Sequence, residues 1–304
     1  MTTAIATGAA ATTGTAGVTV VETLAGYSAL LDAARSAGRT VGVVLTMGAL
    51  HEGHASLIRR AAAECDVVAV SVFVNPTQFA EAGDLVGYPR TLATDVEVAA
   101  GAGASLVFAP SIPEMYPGWP TAPATTVTVR GLGDRWEGPS RPGHFDGVAT
   151  VVVKLLSVSG RCRTYFGEKD FQQLAIVRRV TGDLSLPVEV VGCATVREPD
   201  GLAMSSRNVR LSAEERRAAV CLSRALAAGA AALAGGSDRT GVEAAMAEVV
   251  RDQPLVTLDY AVLVGADDLE PADAAAPGRP LRLLIAAAVG PVRLIDNLDP
   301  LRTL

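Results

Sequence analysis

Only three histidines occur among the 304 residues, and two of them, His51 and His54, stand three positions apart in Met47-Gly48-Ala49-Leu50-His51-Glu52-Gly53-His54. The segment follows a Val-rich apolar run, residues 40–46, that reads as a buried parallel strand. Helical periodicity begins at His54 and continues to Glu64. A strand end, a glycine-bearing loop and a helix start would aim backbone N–H groups and a helix N-terminus at one place, which suits a phosphate. Two imidazoles reach the same place, and Gly53 leaves room for a nucleobase or ribose against the backbone. The chemistry such a site serves is attack of a carboxylate or phosphate on the α-phosphorus of ATP, with imidazole N–H groups stabilising charge on the departing pyrophosphate. Two solvated or core-capping histidines are the alternative. The placement between an apolar strand and a helix favours the phosphate site.

Lysine is rarer still: Lys154 and Lys169 are the only two. Lys169 lies in Gly167-Glu168-Lys169-Asp170, a strand-to-helix turn followed by Gln172 and Gln173. Its compact ammonium suits ATP phosphates as a point charge. An exposed turn lysine balanced by Glu168 and Asp170 is the reading that segment favours when taken alone. In Met204-Ser205-Ser206-Arg207-Asn208, hydroxyls and a guanidinium make either a second phosphate clamp or a Ser-rich turn before a helix. Phe73-Val74-Asn75-Pro76-Thr77-Gln78-Phe79 lies beyond a second apolar strand, where open α/β sheets bind ligands. Gln78 there offers a donor and an acceptor to a hydroxy acid, or is an ordinary polar loop residue. Arg141-Pro142-Gly143-His144-Phe145 is a phosphate contact or a structured turn, with nothing to choose between them.

The elements needed to position these groups alternate as a doubly wound sheet requires. Strand-like runs at 40–46, 66–74, 106–109, 164–166 and 188–191 are separated by helical patterns at 23–37, 54–64, 94–102, 148–158 and 171–183, with a further short strand expected at 125–130. The pattern changes near Val196. Ser212 and Glu215 form a capping box opening an Ala-rich helix to about 233, a helix over 241–251 follows, and antiparallel strands are expected at 258–264, 281–289 and 292–295. The expected organisation is a flexible tail over 1–17, a Rossmann-like α/β domain over 18–195 and a smaller α+β C-terminal domain over 196–304 that acts as a lid. Hydrophobic residues make up 49% of the chain, enough for two cores. The net charge of −6 argues against general binding to nucleic acid or an anionic membrane surface. No window approaches a membrane span, no signal peptide is apparent, and the four cysteines fit no zinc spacing, which together suggest a cytoplasmic protein with reduced thiols.

Taken in order, these segments resemble the pantothenate synthetase (pantoate–β-alanine ligase) family within the His-x-Gly-His nucleotidyltransferases. Tyr88-Pro89-Arg90-Thr91, His144 to Val148, Phe166 to Gln173 and Asp200 to Asn208 extend the likeness. The resemblance implies a homodimer that adenylates pantoate with ATP and Mg²⁺, then passes the acyl group to β-alanine with release of AMP. It implies His54 as the proton-donating catalytic histidine with His51 beside it, and Lys169, Ser205, Ser206 and Arg207 on ATP phosphates. It further implies Val196 offering its backbone to adenine, Gln78 and Gln173 holding pantoate, Gln78 also touching β-alanine, and Arg141 and His144 as secondary contributors. Met47 to His54, Gly167 to Asp170 and Met204 to Arg207 are the implied ATP-binding segments. An enzyme that stops at adenylyl transfer is the competing reading. Leu45 stands where the family usually has proline, which is expected to loosen the turn. Ala93-Thr94-Asp95 leaves a single carboxylate where the family often has several, so Asp95 is only a weak metal candidate and Mg²⁺ is expected to ride mainly on the ATP phosphates.

Overall fold

The computed structural model describes residues 11–13, 17–79, 85–273 and 278–302. The chain divides into two compact units: Met1–Val129, Arg141–Phe166 and Val177–Cys193 form the first, and Arg130–Ser140, Gly167–Ile176 and Ala194–Leu304 the second.

The first unit is built on a seven-stranded sheet. Its strands are β1 (Ala11–Thr13), β2 (Thr19–Val21), β3 (Val41–Thr46), β4 (Val67–Val72), β5 (Leu106–Phe108), β6 (Cys162–Gly167) and β7 (Val188–Cys193), in the order β1-β2-β5-β4-β3-β6-β7. The pairs β2–β5, β5–β4, β4–β3 and β3–β6 are parallel. β1 pairs antiparallel with β2, so part of the stretch expected to be a tail is an edge strand. Strand order reverses at β3, with β4 on one side and β6 on the other, which makes the carboxyl end of β3 a topological switch point.

Val-rich runs form β3 and β4 because both faces are covered: Val43, Val44 and Val70 are fully buried. Each such side chain contributes about 1.5–3 kcal/mol. The longer helices of this unit are α1 (Leu24–Ser36), α2 (Glu52–Glu64), α3 (Leu92–Gly101), α4 (His144–Ser159) and the greater part of α5 (Phe171–Asp183). Ala55, Ile58 and Ala61 of α2 repeat at helical spacing and join one core cluster with Val44, Val68 and Val107. Helix α2 begins at Glu52, not at His54 as periodicity suggested, because the first two residues after the cap are Glu and Gly, which carry no apolar signal. No strand forms at 125–130: the Val127 N–H is taken by Thr150 Oγ1 rather than by a neighbouring strand.

The second unit contains β8 (Val256–Gly265), β9 (Leu281–Val289) and β10 (Val292–Leu298), antiparallel as expected, in the order β10-β9-β8. Strand β9 is central and almost wholly buried, which accounts for its apolar sequence, interrupted by buried Arg282. Helices α6 (Ala213–Ala219), α7 (Cys221–Ala234) and α8 (Arg239–Arg251) belong to this unit, and Leu222, Leu226, Met246, Leu283 and Ile285 share its core. The capping box at Ser212 and Glu215 is present. One expectation is corrected here: Ala213–Ala234 is long and apolar enough, by length and composition, to cross a membrane. Ala218, Leu222 and Leu226 of that stretch lie in the core of the unit, and its first turn carries Glu214, Glu215, Arg216 and Arg217, which is the pattern of an amphipathic core helix.

The division of the chain is interleaved rather than a single cut near Val196. Residues 130–140 cluster with the C-terminal strands because Arg293 donates to both carboxylate oxygens of buried Glu137, at 2.5 and 2.7 Å, and Trp136 Nε1 donates to Leu269 O at 2.9 Å. Gln172 fastens the same segment, accepting from Glu137 N and donating to Leu132 O and Arg135 O.

In the first unit, the opening of α4 lies flush on the turn Pro76–Gln78. A Cβ at Gly147 would overlap Thr77 O and sit 2.7 Å from Gln78 N. Gly147→Ala is therefore expected to destabilise the protein by about 1–3 kcal/mol through overpacking, despite the ordinary helix preference for alanine. Urea denaturation measures this, and an unchanged or raised midpoint would show that the turn yields.

Candidate active site

The loop leaving β3 is made by hydrogen bonds from three elements. Thr46 Oγ1 donates to Ser71 O at 2.7 Å and accepts from Gly48 N at 3.1 Å. Gly48 and Ala49 then turn with φ of 85° and 51°. A left-handed alanine costs about 1–2 kcal/mol. Asp95 offsets that cost: it is 1% exposed, its Oδ2 accepts from Ala49 N at 3.1 Å and its Oδ1 from Leu50 N at 2.7 Å. Hydrogen bonds to a charged acceptor are worth about 1.5–3 kcal/mol each, so two of them outweigh one strained residue. Thr91 Oγ1 adds a third, at 3.2 Å to Oδ2. Asp95 is thus a loop anchor whose oxygens are engaged by N–H and O–H donors. Among the described residues no group of three or more His, Cys, Asp or Glu is placed to hold a metal ion. Leu45 pairs in regular register with Ser71 of β4, and the turn after it is held by Thr46 and Asp95.

His51 and His54 cap helix α2 reciprocally. His51 is the N-cap, and its Nδ1 accepts from Gly53 N at 3.1 Å. His54 occupies the third helical position, and its Nδ1 accepts from His51 N at 3.3 Å. This is a capping box made of two imidazoles, where Ser or Thr and Glu or Gln usually serve. The ring centroids are 4.2 Å apart. A neutral imidazole that accepts at Nδ1 carries its proton at Nε2, so both rings are Nε2–H donors in this arrangement. Several N–H groups expected to face a phosphate are instead taken by Asp95, Thr46 and the two rings. Gly53 has a steric role: a Cβ there would lie 2.8 Å from His51 Cε1. Glu52 is exposed and pairs with Arg59 at 2.6 Å.

Gln78 is buried in the Pro76–Gln78 turn. Its Nε2 donates to Met47 Sδ at 2.8 Å, its Oε1 accepts from Asn75 Nδ2 at 3.0 Å, and Asn75 Oδ1 accepts from Tyr116 OH at 3.0 Å. The side chain thereby lies against Met47 of the β3 loop. His144 is buried, with Nε2 at 2.8 Å from Arg141 Nη1 and Nδ1 at 2.9 Å from Gln78 O. Arginine only donates, so Nε2 accepts and the proton sits at Nδ1, where it is donated to Gln78 O. Of the two readings of Arg141 to Phe145, the structured turn is the one observed, and it positions the backbone of Gln78.

In the second unit, Gly167 precedes a 3₁₀ turn Glu168–Asp170. Lys169 has a largely covered side chain, 17% exposed, 3.6 Å from Asp170 Oδ1. The exposed turn lysine read from the segment alone is therefore corrected. Glu168 pairs with buried Arg282 at 3.0 Å, not with Lys169. Gln173 is half-buried one turn on in α5, beside the fully engaged Gln172. Val196 O accepts from Met204 N at 2.9 Å, and Arg197 and Ala203 form an isolated antiparallel bridge. Ser205 caps the 3₁₀ turn Ser206–Arg210, its Oγ accepting from Arg207 N at 3.2 Å. Asn208 Nδ2 donates to Ala203 O at 3.1 Å, and Asn208 Oδ1 is the buried side-chain oxygen without a partner among the described residues.

Comparison with known proteins is decisive. The family model described as pantoate-beta-alanine ligase matches residues 19–299. A pantothenate synthetase from Rubrobacter xylanophilus is 53% identical over 268 residues, covering 86% of this chain and 92% of its own. A pantothenate synthetase from Cereibacter sphaeroides is 51% identical over 282 residues, covering 92% and 98%. The crystal structure of pantothenate synthetase from Thermus thermophilus matches with a TM-score of 0.84 at 45% identity, covering 92% of this chain and 99% of that one. A pantoate-beta-alanine ligase from Francisella tularensis, complexed with beta-gamma ATP and beta-alanine, matches with a TM-score of 0.73 at 30% identity, covering 93% and 98%.

The chain belongs to the pantoate-beta-alanine ligase family.

Within this ligase, sequence reading missed Asp95 as the anchor of the β3 loop, Gly147 as the close-packing glycine beneath Gln78, and Arg282 and Asn297 behind the Lys169 turn. Single glycines in helical patterns carry a weak signal, and Gly147 was visible in that sense. The others have none, because their partners lie 45 or more residues away. Asp95→Ala is expected to leave Ala49 N and Leu50 N without acceptors at about 1–3 kcal/mol each. Chemical denaturation reads that loss, and a ligase variant as stable as the wild type would mean that the loop is not held by this carboxylate.

Proposed function

We propose that this chain condenses pantoate with β-alanine to give pantothenate, consuming ATP and releasing AMP and pyrophosphate. The observation that carries the reading is the family match over residues 19–299, supported by relatives of about 50% identity that bear the same name over nearly their whole length. The His51–His54 pair at the switch point of the sheet supplies the chemistry the reading needs.

In the first step a pantoate carboxylate oxygen attacks the α-phosphorus of ATP. The bond to the β-phosphate oxygen breaks, pyrophosphate leaves with the electron pair, and a pantoyl adenylate forms. His54, with His51 beside it, donates from Nε2–H to the phosphoryl oxygens on which charge builds. Lys169 supplies a fixed positive charge, and Ser205, Ser206 and Arg207 supply further donors to the phosphates. The backbone of Val196 meets the adenine, with Met204 on the same ATP-binding segment. Gln78 and Gln173 hold pantoate through paired donor and acceptor groups. In the second step the neutral amine of β-alanine attacks the acyl carbon, AMP departs with its oxygen, and the amine proton is lost. Gln78 also contacts this second substrate.

Magnesium enters as MgATP. The carboxylate nearest the loop, Asp95, is committed to backbone N–H groups, which does not fit a protein-held metal, so no step passes through one. A homodimer and a cytoplasmic location complete the reading. An enzyme that stops at adenylyl transfer is disfavoured, since the relatives carry the ligase name.

An AMP-release assay with each substrate omitted in turn tests this. AMP accumulation is expected only when pantoate, β-alanine and MgATP are all present, and release that ignores β-alanine would sink the ligase reading. His54→Ala and Lys169→Ala are each expected to lower turnover by ~10²–10³. A folded variant that keeps near-full activity would remove the role assigned to that side chain.

A further inference from the structure

Two neighbouring residues near the end of β10, Asp296 and Asn297, are each 3% exposed and carry polar side chains into the interior. Burial of such groups is costly unless every polar atom is partnered. Asp296 accepts from Arg197 Nη1 and Nη2 at 2.7 and 3.0 Å. Asn297 Nδ2 donates to Glu168 O at 2.9 Å and Lys169 O at 2.7 Å, while its Oδ1 accepts from Arg282 Nε at 2.8 Å. Arg282 in turn bonds Glu168 Oε2 at 3.0 Å and lies 4.1 Å from the Phe171 ring centroid. Adjacent strand residues project to opposite faces, so one dipeptide reaches two segments that are distant in sequence.

We infer that Asp296 and Asn297 are a positioning pair for nucleotide binding. Asp296 fixes Arg197, the neighbour of Val196, and Asn297 fixes the backbone of Lys169 through two carbonyls. The inference rests on the nucleotide roles proposed above for Val196 and Lys169. Neither member touches ATP; both act through the segment each one holds. Only an amide suits the position of Asn297, which must donate on one side and accept from a guanidinium on the other. Asn297→Asp keeps the acceptor toward Arg282 but turns a carboxylate oxygen toward two carbonyl oxygens.

The test is titration calorimetry of MgATP with the full chain, alongside the KM for β-alanine and a thermal melt. Asn297→Asp, Asn297→Ala and Asp296→Asn are each expected to weaken ATP at least tenfold, while the KM for β-alanine shifts less than twofold. A general packing defect would weaken the binding of both substrates together with a loss of folded fraction. ATP affinity within twofold of wild type in any folded member of the three overturns the inference. Failure of all three to fold also overturns it, making the pair a folding determinant only. A wild-type chain that binds MgATP yet makes no pantothenate would sink the ligase reading and leave this measurement valid.

Discussion

The carboxylate of Asp95, closed off from water, accepts from two consecutive N–H groups in a turn whose preceding glycine and alanine are both left-handed. The conformation after β3 depends on that contact. Without an acceptor, the turn would hold a strained alanine and two orphaned donors, and an extended path would be preferred. With it, the chain reverses tightly enough for His51 to arrive as the cap of α2. The reciprocal capping then fixes both imidazoles through their Nδ1 atoms and so sets which nitrogen bears the proton.

The second unit uses a related device with larger groups. Arg282 is buried and its positive charge is disfavoured there by desolvation, while the Glu168 carboxylate acts in the opposite direction. Glu137 plays the same part against Arg293, whose pKa is raised even though burial opposes it. Buried ion pairs of this kind add little net stability compared with apolar packing, because desolvation cancels much of the attraction. Their value is geometric: a bidentate or multiply bonded guanidinium tolerates one arrangement of its neighbours. That fits their location, behind the Lys169 turn and along residues 130–140, where backbone position matters more than energy.

Much of the fold was legible. Val-rich runs bounded by turn residues marked β3 and β4, the helix over residues 171–183 matched at both ends, and the Ser212–Glu215 capping box appeared as read. The reading failed where a segment's fate depends on a partner. Residues 125–130 alternate like a strand but pair with no strand among the described residues, and the N-terminal stretch yields a strand at Ala11–Thr13 because β2 offers an edge. The interleaving of the two units was invisible for the same reason, since Glu137 and Arg293 are 156 residues apart.

From its sequence alone, this protein declared its class and its reactive groups: rare His and Lys side chains at strand ends can be recognised because local periodicity places them. The sequence also carried the order of motifs that identifies the family. Tertiary structure alone decided the anchoring role of Asp95 and the partners of Arg282 and Asn297. Those depend on contacts between residues far apart in the chain, and such contacts follow from packing of completed elements, which no local pattern records.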